Sequence, residues 1–329
     1  MRYRNLLTAF FITALALALS TGMAFAGNTA TVDQDGTGNI GEIEQAGSDN
    51  TAYIDQTNAV NNRAFIDQSG DDNEATINQT NASGTQQLHY GTIDQIGDGN
   101  EAILDQSMWY GNVGHTGSIE QTGYDNFANL QMGGANNDRG TINQTGNDNI
   151  ADIDQMRGAS GTSNPAIVEV NQTGDLNEVY MDQHSSTWTH AYIDQIGDEN
   201  YVDLRQAQAD HADIWQEGDR NEIAGVTNND GLEFALSERA YMHSSEFHGT
   251  QIGNDNTIGL YQRNNNLGTI TQTGNDNEAL LYQGGTGGHT STIIQTGDQN
   301  TGHVKQTVAG ALGNITQTGS MNQAYINQF

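Results

Sequence analysis

The sequence predicts an all-β fold, a β-solenoid (β-helix) of about 12 stacked strand–arc–strand rungs with Gln and Asn ladders. Three observations carry this expectation. A short phrase, Gln-x-Gly-x-x-Asn, recurs thirteen times along the 329 residues. Apolar and polar residues alternate with period two on both sides of each copy, the pattern of half-buried strands. The composition is poor for a compact core, with 34% hydrophobic residues and 40 glycines, yet the apolar residues fall in strict order.

The phrase begins at Gln34, Gln45, Gln68, Gln95, Gln121, Gln144, Gln172, Gln195, Gln216, Gln251, Gln272, Gln295 and Gln317. After the first copy the intervals run mostly from 21 to 28 residues, with one of 35 between Gln216 and Gln251. The longer consensus is Ile-x-Gln-x-Gly-x-x-Asn-x-Ala-x-Ile-x-Gln. Ile66 to Gln79 is a clean copy, and Ile93 to Gln106, Ile142 to Gln155 and Ile315 to Gln328 are others. Strand side chains alternate faces. Ile66 and Gln68 therefore share one face, and Asn73, Ala75, Ile77 and Gln79 another. A fold-back over Gly70 to Asp72 brings those faces together and leaves Asp67, Ser69, Glu74, Thr76 and Asn78 outside.

One such pair of strands cannot hold itself together. Its two Ile side chains remove only a few kcal/mol of apolar surface from water, at ~1.5–3 kcal/mol each. Ordering some twenty residues costs more than that. Stacking of equivalent rungs ~4.8 Å apart turns the Ile positions into a continuous seam. It also lets each inward amide hydrogen-bond to its copies above and below. The candidate self-assembly ladder is read as Gln45, Asn50, Gln56, Gln68, Asn73, Gln79, Gln95, Asn100, Gln106, Gln144, Asn149, Gln155, Gln195, Asn200, Gln206, Gln272, Asn277, Gln283, Gln317, Asn322 and Gln328.

Residues 1–26 read as a Sec signal peptide. Arg2 and Arg4 precede an apolar run, Leu6 to Leu19, and Ala24 to Ala26 offer small residues before a cut at Gly27. Residues 27–44 read as a short N-terminal segment and half rung, and 45–221 as acidic repeats. Residues 222–250 read as an irregular insert, in which Leu232 to Tyr241 is expected as a short helix or a bulged rung. Residues 251–329 read as near-neutral repeats. Linkers from the second Gln of a rung to the next strand, such as Gln79 to Thr92 and Gln155 to Val168, absorb the variable spacing. They hold Trp109, Trp188 and the only proline, Pro165.

The formal charge is −31 over the whole chain, and 251–329 contribute only four acids and two bases to it. Such a surface repels nucleic acid and anionic membrane, so neither is an expected partner, and no membrane insertion is expected. The absence of Cys excludes disulfides and thiolate chemistry. Paired carboxylates such as Asp152 and Asp154 recur as a surface pattern, whereas catalysis needs one cleft with divergent environments. No enzyme activity and no cofactor are expected. His243 with His248, and His184 with His190, lack zinc-motif spacing and read as linker residues. The calcium β-roll signature is absent, its nearest approach being the Gly-rich stretch at Gly284.

The spacing Gln-x-Gly-x-x-Asn-x-Ala-x-x-x-Gln resembles the curlin repeat of curli fibre subunits. Its clearest matches are Gln68/Gly70/Asn73/Ala75/Gln79, Gln95/Gly97/Asn100/Ala102/Gln106, Gln144/Gly146/Asn149/Ala151/Gln155 and Gln317/Gly319/Asn322/Ala324/Gln328. The resemblance implies a secreted subunit that polymerises with itself, and with other curli subunits, into extracellular amyloid fibres for adhesion and biofilm matrix. It also implies export through an outer-membrane curli secretion pore. The family's subunits have about five repeats and this chain more than twice as many. The last strand, Ala324 to Phe329, carries no helical or charged cap and reads as an open template for another chain. Acidic columns through Glu44, Asp55, Asp67, Asp94 and Asp105 are expected to repel their copies at rung spacing. Residues 251–329 are therefore expected to assemble faster than 27–250 in amyloid-dye kinetics. The alternative is a monomeric β-solenoid binding module, acting as a surface adhesin or an ice- or calcium-binding protein.

Overall fold

The computed structural model describes residues 27–81, 88–108, 114–134, 137–156, 165–183, 189–206, 210–225 and 240–329. The regular structure among them is all β: 26 strands in two parallel sheets between which the chain alternates. Sheet 1, with 12 strands, holds the strand ahead of each Gly-containing arc, from Ile40–Ala46 to Leu312–Thr318. Sheet 2, with 14, holds the strand behind each arc, ending in Gln323–Gln328, and also Thr29–Thr37 at its other edge. The fold is a β-solenoid. The first phrase, at Gln34, thus begins inside a sheet 2 strand, whereas the other twelve glutamines lie in sheet 1.

Equivalent residues stack on one another. Ile66 lies between Ile43 and Ile93, and Gln68 between Gln45 and Gln95. A slip of one residue would turn every Ile outward and every Asp inward, so the alternation holds the register. Ile66, Ile93, Ile119 and Ile142 from sheet 1 meet Ile54, Ile77, Leu104, Leu130 and Ile153 from sheet 2, all at most 2% exposed. The outward set is as expected: Asp67, Ser69 and Glu74 are exposed, and Thr76 and Asn78 half-buried.

Two features bring the sheets close. Two residues before each sheet 1 Ile stands a small residue such as Gly91, Gly117 or Gly140, and a Cβ on Gly117 would lie 2.5 Å from the Leu104 and Met132 side chains. In the arcs, Gly146 has φ +123° and a Cβ there would sit 2.0 Å from the Gly174 carbonyl oxygen. Only glycine adopts that conformation with the next rung so near. Asp148, also in the arc, takes a left-handed φ of 55°, which Asp tolerates better than most residues.

The stack runs through the long interval after Gln216. In sheet 1, His211–Glu217 pairs directly with Glu246–Ile252. In sheet 2, Glu222–Ala224 and Ala240–Met242 each pair with Tyr201–Gln206 and Thr257–Gln262, so two short strands fill one strand position. The helix or bulge expected over Leu232 to Tyr241 lies outside the described residues except for Ala240 and Tyr241, which are strand. The expected signal peptide, Trp109 and Trp188 also lie outside them. Among the described residues no helix is long and apolar enough to cross a membrane.

Candidate self-assembly ladders

The inward glutamines of sheet 1 form one line from Gln45 to Gln317. Each Nε2 donates to the Oε1 of the glutamine in the next rung, at 2.8–3.0 Å through eleven successive bonds. The second Nε2 proton goes to a backbone carbonyl, as from Gln68 to Thr51 at 3.1 Å. Of the expected members, Gln45, Gln68, Gln95, Gln144, Gln195, Gln272 and Gln317 lie in this line. Gln121, Gln172, Gln216, Gln251 and Gln295 belong to it as well, although their repeats match the longer consensus less cleanly.

The arc asparagines form a second line that donates the opposite way. Asn73 Nδ2 gives one proton back to Asn50 Oδ1 at 3.0 Å and the other forward to the Gly97 carbonyl at 2.6 Å. The Asn73 backbone N–H also donates to Asn50 Oδ1, at 3.0 Å. One amide thus ties three rungs. The pattern repeats through Asn100, Asn126, Asn149, Asn177, Asn200, Asn221, Asn256, Asn277 and Asn300, with Asn322 as the last member. Except for Asn322 at the end, these amides are buried, where an unmade hydrogen bond costs ~1–3 kcal/mol.

The glutamine line of sheet 2 is broken twice. Gln56, Gln79 and Gln106 are linked, as are Gln155, Gln183 and Gln206, and then Gln262, Gln283, Gln306 and Gln328. Between these blocks the register places Met132 and Met242. The effect is visible one rung on: Gln155 Oε1 and Gln262 Oε1 are buried with no hydrogen-bond partner. One rung back, Gln106 Nε2 donates to the Tyr90 and His115 carbonyls instead.

Outward acids stack as well. In sheet 1, Glu44, Asp67, Asp94 and Glu120 follow one another without a spacer. Partial burial, with the Asp67 and Glu120 carboxylates on either side, pushes the Asp94 carboxyl above its ordinary range. In sheet 2 the expected repulsion between Asp55 and Asp105 is relieved. Asn78 stands between them and donates to Asp105. In the arcs, the Ser48 backbone N–H and hydroxyl donate to Asp71 and hold its carboxyl below the usual range. Among the described residues no group of three or more His, Asp or Glu side chains is placed to hold a metal ion.

A family model for the curlin associated repeat matches residues 26–57, 58–80 and 264–307. These three segments are curlin repeats. No curated protein matches the chain. The matched segments include the Gln45 and Asn50 edge of the two lines, and the same strand–arc–strand geometry carries through the other rungs to Gln317 and Asn322.

The corner that joins one repeat to the next holds a third buried line that the spacing did not reveal. Its side chains accept from the backbone N–H one rung on. His89 donates to Asn62 Oδ1 at 3.0 Å, His115 to His89 Nδ1 at 3.0 Å, Asp138 to His115 Nδ1 at 3.1 Å and Ala166 to Asp138 Oδ1 at 2.8 Å. Asp210, Ser245, Asn266 and His289 continue it. The His89 and His115 rings stack with centroids 5.2 Å apart. Burial, reinforced by His115, pushes the His89 imidazole down to about 3. The reading of His190 and His248 as linker residues is corrected: both lie within sheet 1 strands, Thr189–Ile196 and Glu246–Ile252. Those strands start six and five residues before the phrase Gln rather than two, because the position four residues before it, Ala191 and Phe247, also packs inward.

Proposed function

We propose that this protein is a secreted structural subunit that self-assembles end to end into curli-like extracellular amyloid fibres serving adhesion and biofilm matrix. One observation carries the reading: the amide lines are directional and reach the rod's ends. In sheet 1 the donor end of the line is at Gln317 and the acceptor end at Gln45. Head-to-tail stacking joins donor to acceptor and adds one more repeat-like interface, whereas head-to-head stacking sets acceptor against acceptor. The core columns agree. Val32 and Ile43 at one end, and Ala324 and Ile326 at the other, are only partly buried, although the same columns are closed inside the rod. Met321 and Phe329 are each 73% exposed.

In this reading the partners are copies of the same chain and other curli subunits, with export by the signal peptide and an outer-membrane curli secretion pore. The role is structural rather than catalytic, and no cofactor enters it. The experiment is sedimentation of the purified protein followed by X-ray fibre diffraction. Pelleting fibres with a meridional reflection at ~4.7 Å support it. A stable soluble monomer overturns it in favour of the monomeric binding module.

A further inference from the structure

One outward column of sheet 2 changes character along the rod. In its first seven rungs it carries Asp33, Asp55, Asp105, Asp154 and Asp182, with Asn78 and Gln131 between them. From there it continues as Arg205, Tyr241, Tyr261, Tyr282 and Lys305 before ending on Asn327. The tyrosines form a ring stack: Tyr241 and Tyr261 have centroids 5.5 Å apart, and Tyr261 and Tyr282 4.7 Å apart at an interplanar angle of 6°. Cations bracket it. The Arg205 guanidinium lies 5.9 Å from the Tyr241 centroid and the Lys305 ammonium 5.8 Å from that of Tyr282. Arg263 Nη1 donates to the Tyr261 hydroxyl at 3.4 Å. Leu280, 3% exposed, packs against Tyr261 and Tyr282 outside the main core. In a chain of charge −31 with only 10 Lys and Arg, this places three of the cations on one aromatic stripe.

We propose that this face binds a second copy of the chain, side by side and antiparallel, as a two-fold symmetric pair. The occupant follows from charge complementarity within the column itself. Antiparallel overlap about the middle rung sets Asp154 opposite Arg205, Asp105 opposite Tyr261 with Arg263 beside it, and Asn78 opposite Tyr282; Asp55 falls at the rung of Lys305, whose side chain is buried and adds no surface charge there. Carboxylates and amides meet phenol hydroxyls and guanidinium groups, and each contact occurs twice, as an isologous interface requires. Only Asp182 faces itself, and each copy there has its own Arg205 Nε 3.7 Å from the carboxylate. Parallel overlap would instead set Asp55, Asp105 and Asp154 each against its own copy, the arrangement that like-charge juxtaposition disfavours. This contact is lateral and separate from the axial stacking proposed above, so the two can fail independently.

The chain has no Cys, which makes single thiols unambiguous probes. Asp182→Cys and Gln131→Cys each place a thiol in this outward column of the full-length soluble protein. Packed sheets lie about 10 Å apart, within reach of a short bismaleimide. In the antiparallel pair the Asp182→Cys thiols face each other, whereas the Gln131→Cys thiols lie about four rungs apart, or ~19 Å along the rod. The expected result is at least tenfold more covalent dimer from Asp182→Cys. Equal yields, or more from Gln131→Cys, overturn the proposal. Adding Arg205→Glu and Arg263→Glu to Asp182→Cys is expected to abolish the dimer. Mixing that protein with Asp182→Cys carrying Asp105→Lys and Asp154→Lys is expected to restore it as a heterodimer. Persistence of the dimer in the first variant, or no rescue on mixing, also overturns the assignment. Far-UV circular dichroism confirms that each variant is folded.

Discussion

A primary amide gives and accepts along one line, so a column of identical glutamines can satisfy itself indefinitely while any apolar member breaks the line on both sides. Met132 is such a member. It leaves Gln155 Oε1 buried without a donor and removes the acceptor that Gln106 Nε2 would use. Met132→Gln gives up burial of the thioether and methyl, at ~0.8 kcal/mol per group, but supplies a donor to the unmet Gln155 acceptor, worth ~1–3 kcal/mol, and lets Gln106 Nε2 exchange the His115 carbonyl for an amide oxygen in line with the column. The expected net effect is stabilisation by about 1 kcal/mol, whereas Met132→Leu, which repairs nothing, is neutral or costs up to ~1.5 kcal/mol. Urea denaturation of the two variants measures the difference, and a less stable Met132→Gln contradicts the account. His89 makes a second prediction at this scale. Its folded-state value is pushed down to about 3, below the ordinary value near 6.5, so the unfolded chain takes up the proton first as the medium acidifies. Stability is present in full above about 6.5 and is lost as pH falls towards about 3, at up to ~1.4 kcal/mol per pH unit. The neighbours facing the ring are His115, which adds to the effect, and Asp138 one rung further. Asn62 already fills the same column with an amide, so His89→Asn should keep the fold and flatten the loss between pH 6 and 4. Denaturation midpoints across that range decide it, and an unchanged slope would reject His89 as a source of acid sensitivity.

At the scale of the rung, the residues that were legible are those fixed by local spacing. Ile142, Gln144, Asn149, Ala151, Ile153 and Gln155 sit at constant offsets from one arc glycine, and period-two alternation assigns their faces without reference to any neighbour. The features that escaped depend on the rung above or below. Met132 and Met242 become breaks only when the register puts them in a glutamine column. The corner line of His89, His115 and Asp138 follows linkers of unequal length, so no fixed interval marks it. The rung at Glu246–Ile252 shows the same limit in the core. Register puts Phe247 where its neighbours have Ala212 and Gly268, and Gly249 where they have Ile214 and Ile270. A Cβ on Gly249 would lie 2.7 Å from the Phe247 ring, so one large residue has moved two positions along the strand and the total volume is kept. Phe247→Ala alone should cost ~3–5 kcal/mol by opening a cavity. Gly249→Ile alone should cost ~1–3 kcal/mol by overpacking against the ring. The double variant restores the ordinary rung and should lie near the wild type. A double-mutant cycle by thermal or urea unfolding measures the coupling, and simple additivity would mean the two positions do not share one space.

For the whole molecule, a stack of near-equivalent repeats has the energetics of a one-dimensional chain, in which each rung is held by its neighbours and the end rungs lack one of them. Ile326 is the end member of a column whose interior residues, Leu281 and Val304, are 0% exposed, and it is itself only partly buried. A lysine there can carry its ammonium out through the open face of the free rod, because long cationic side chains reach water along their stems. Folding should therefore change little. In an end-to-end joint the same ammonium would be closed in without a partner, at a cost of several kcal/mol. Ile326→Lys is accordingly expected to keep the wild-type circular dichroism and to slow seeded elongation at least a hundredfold. Its opposite end is unaltered, so it should still add to the Gln323–Gln328 end of a wild-type fibre and then present a blocked face. Substoichiometric Ile326→Lys should thus arrest growth at one fibre end and leave the other growing. Gln323→Lys, outward on the same strand and exposed, controls for added charge and should elongate near the wild-type rate. Single-fibre imaging with labelled seeds reads both ends at once. Growth of Ile326→Lys at the wild-type rate, or arrest at both ends alike, would rule out a polar joint between this end rung and the Thr29–Thr37 end of the next molecule.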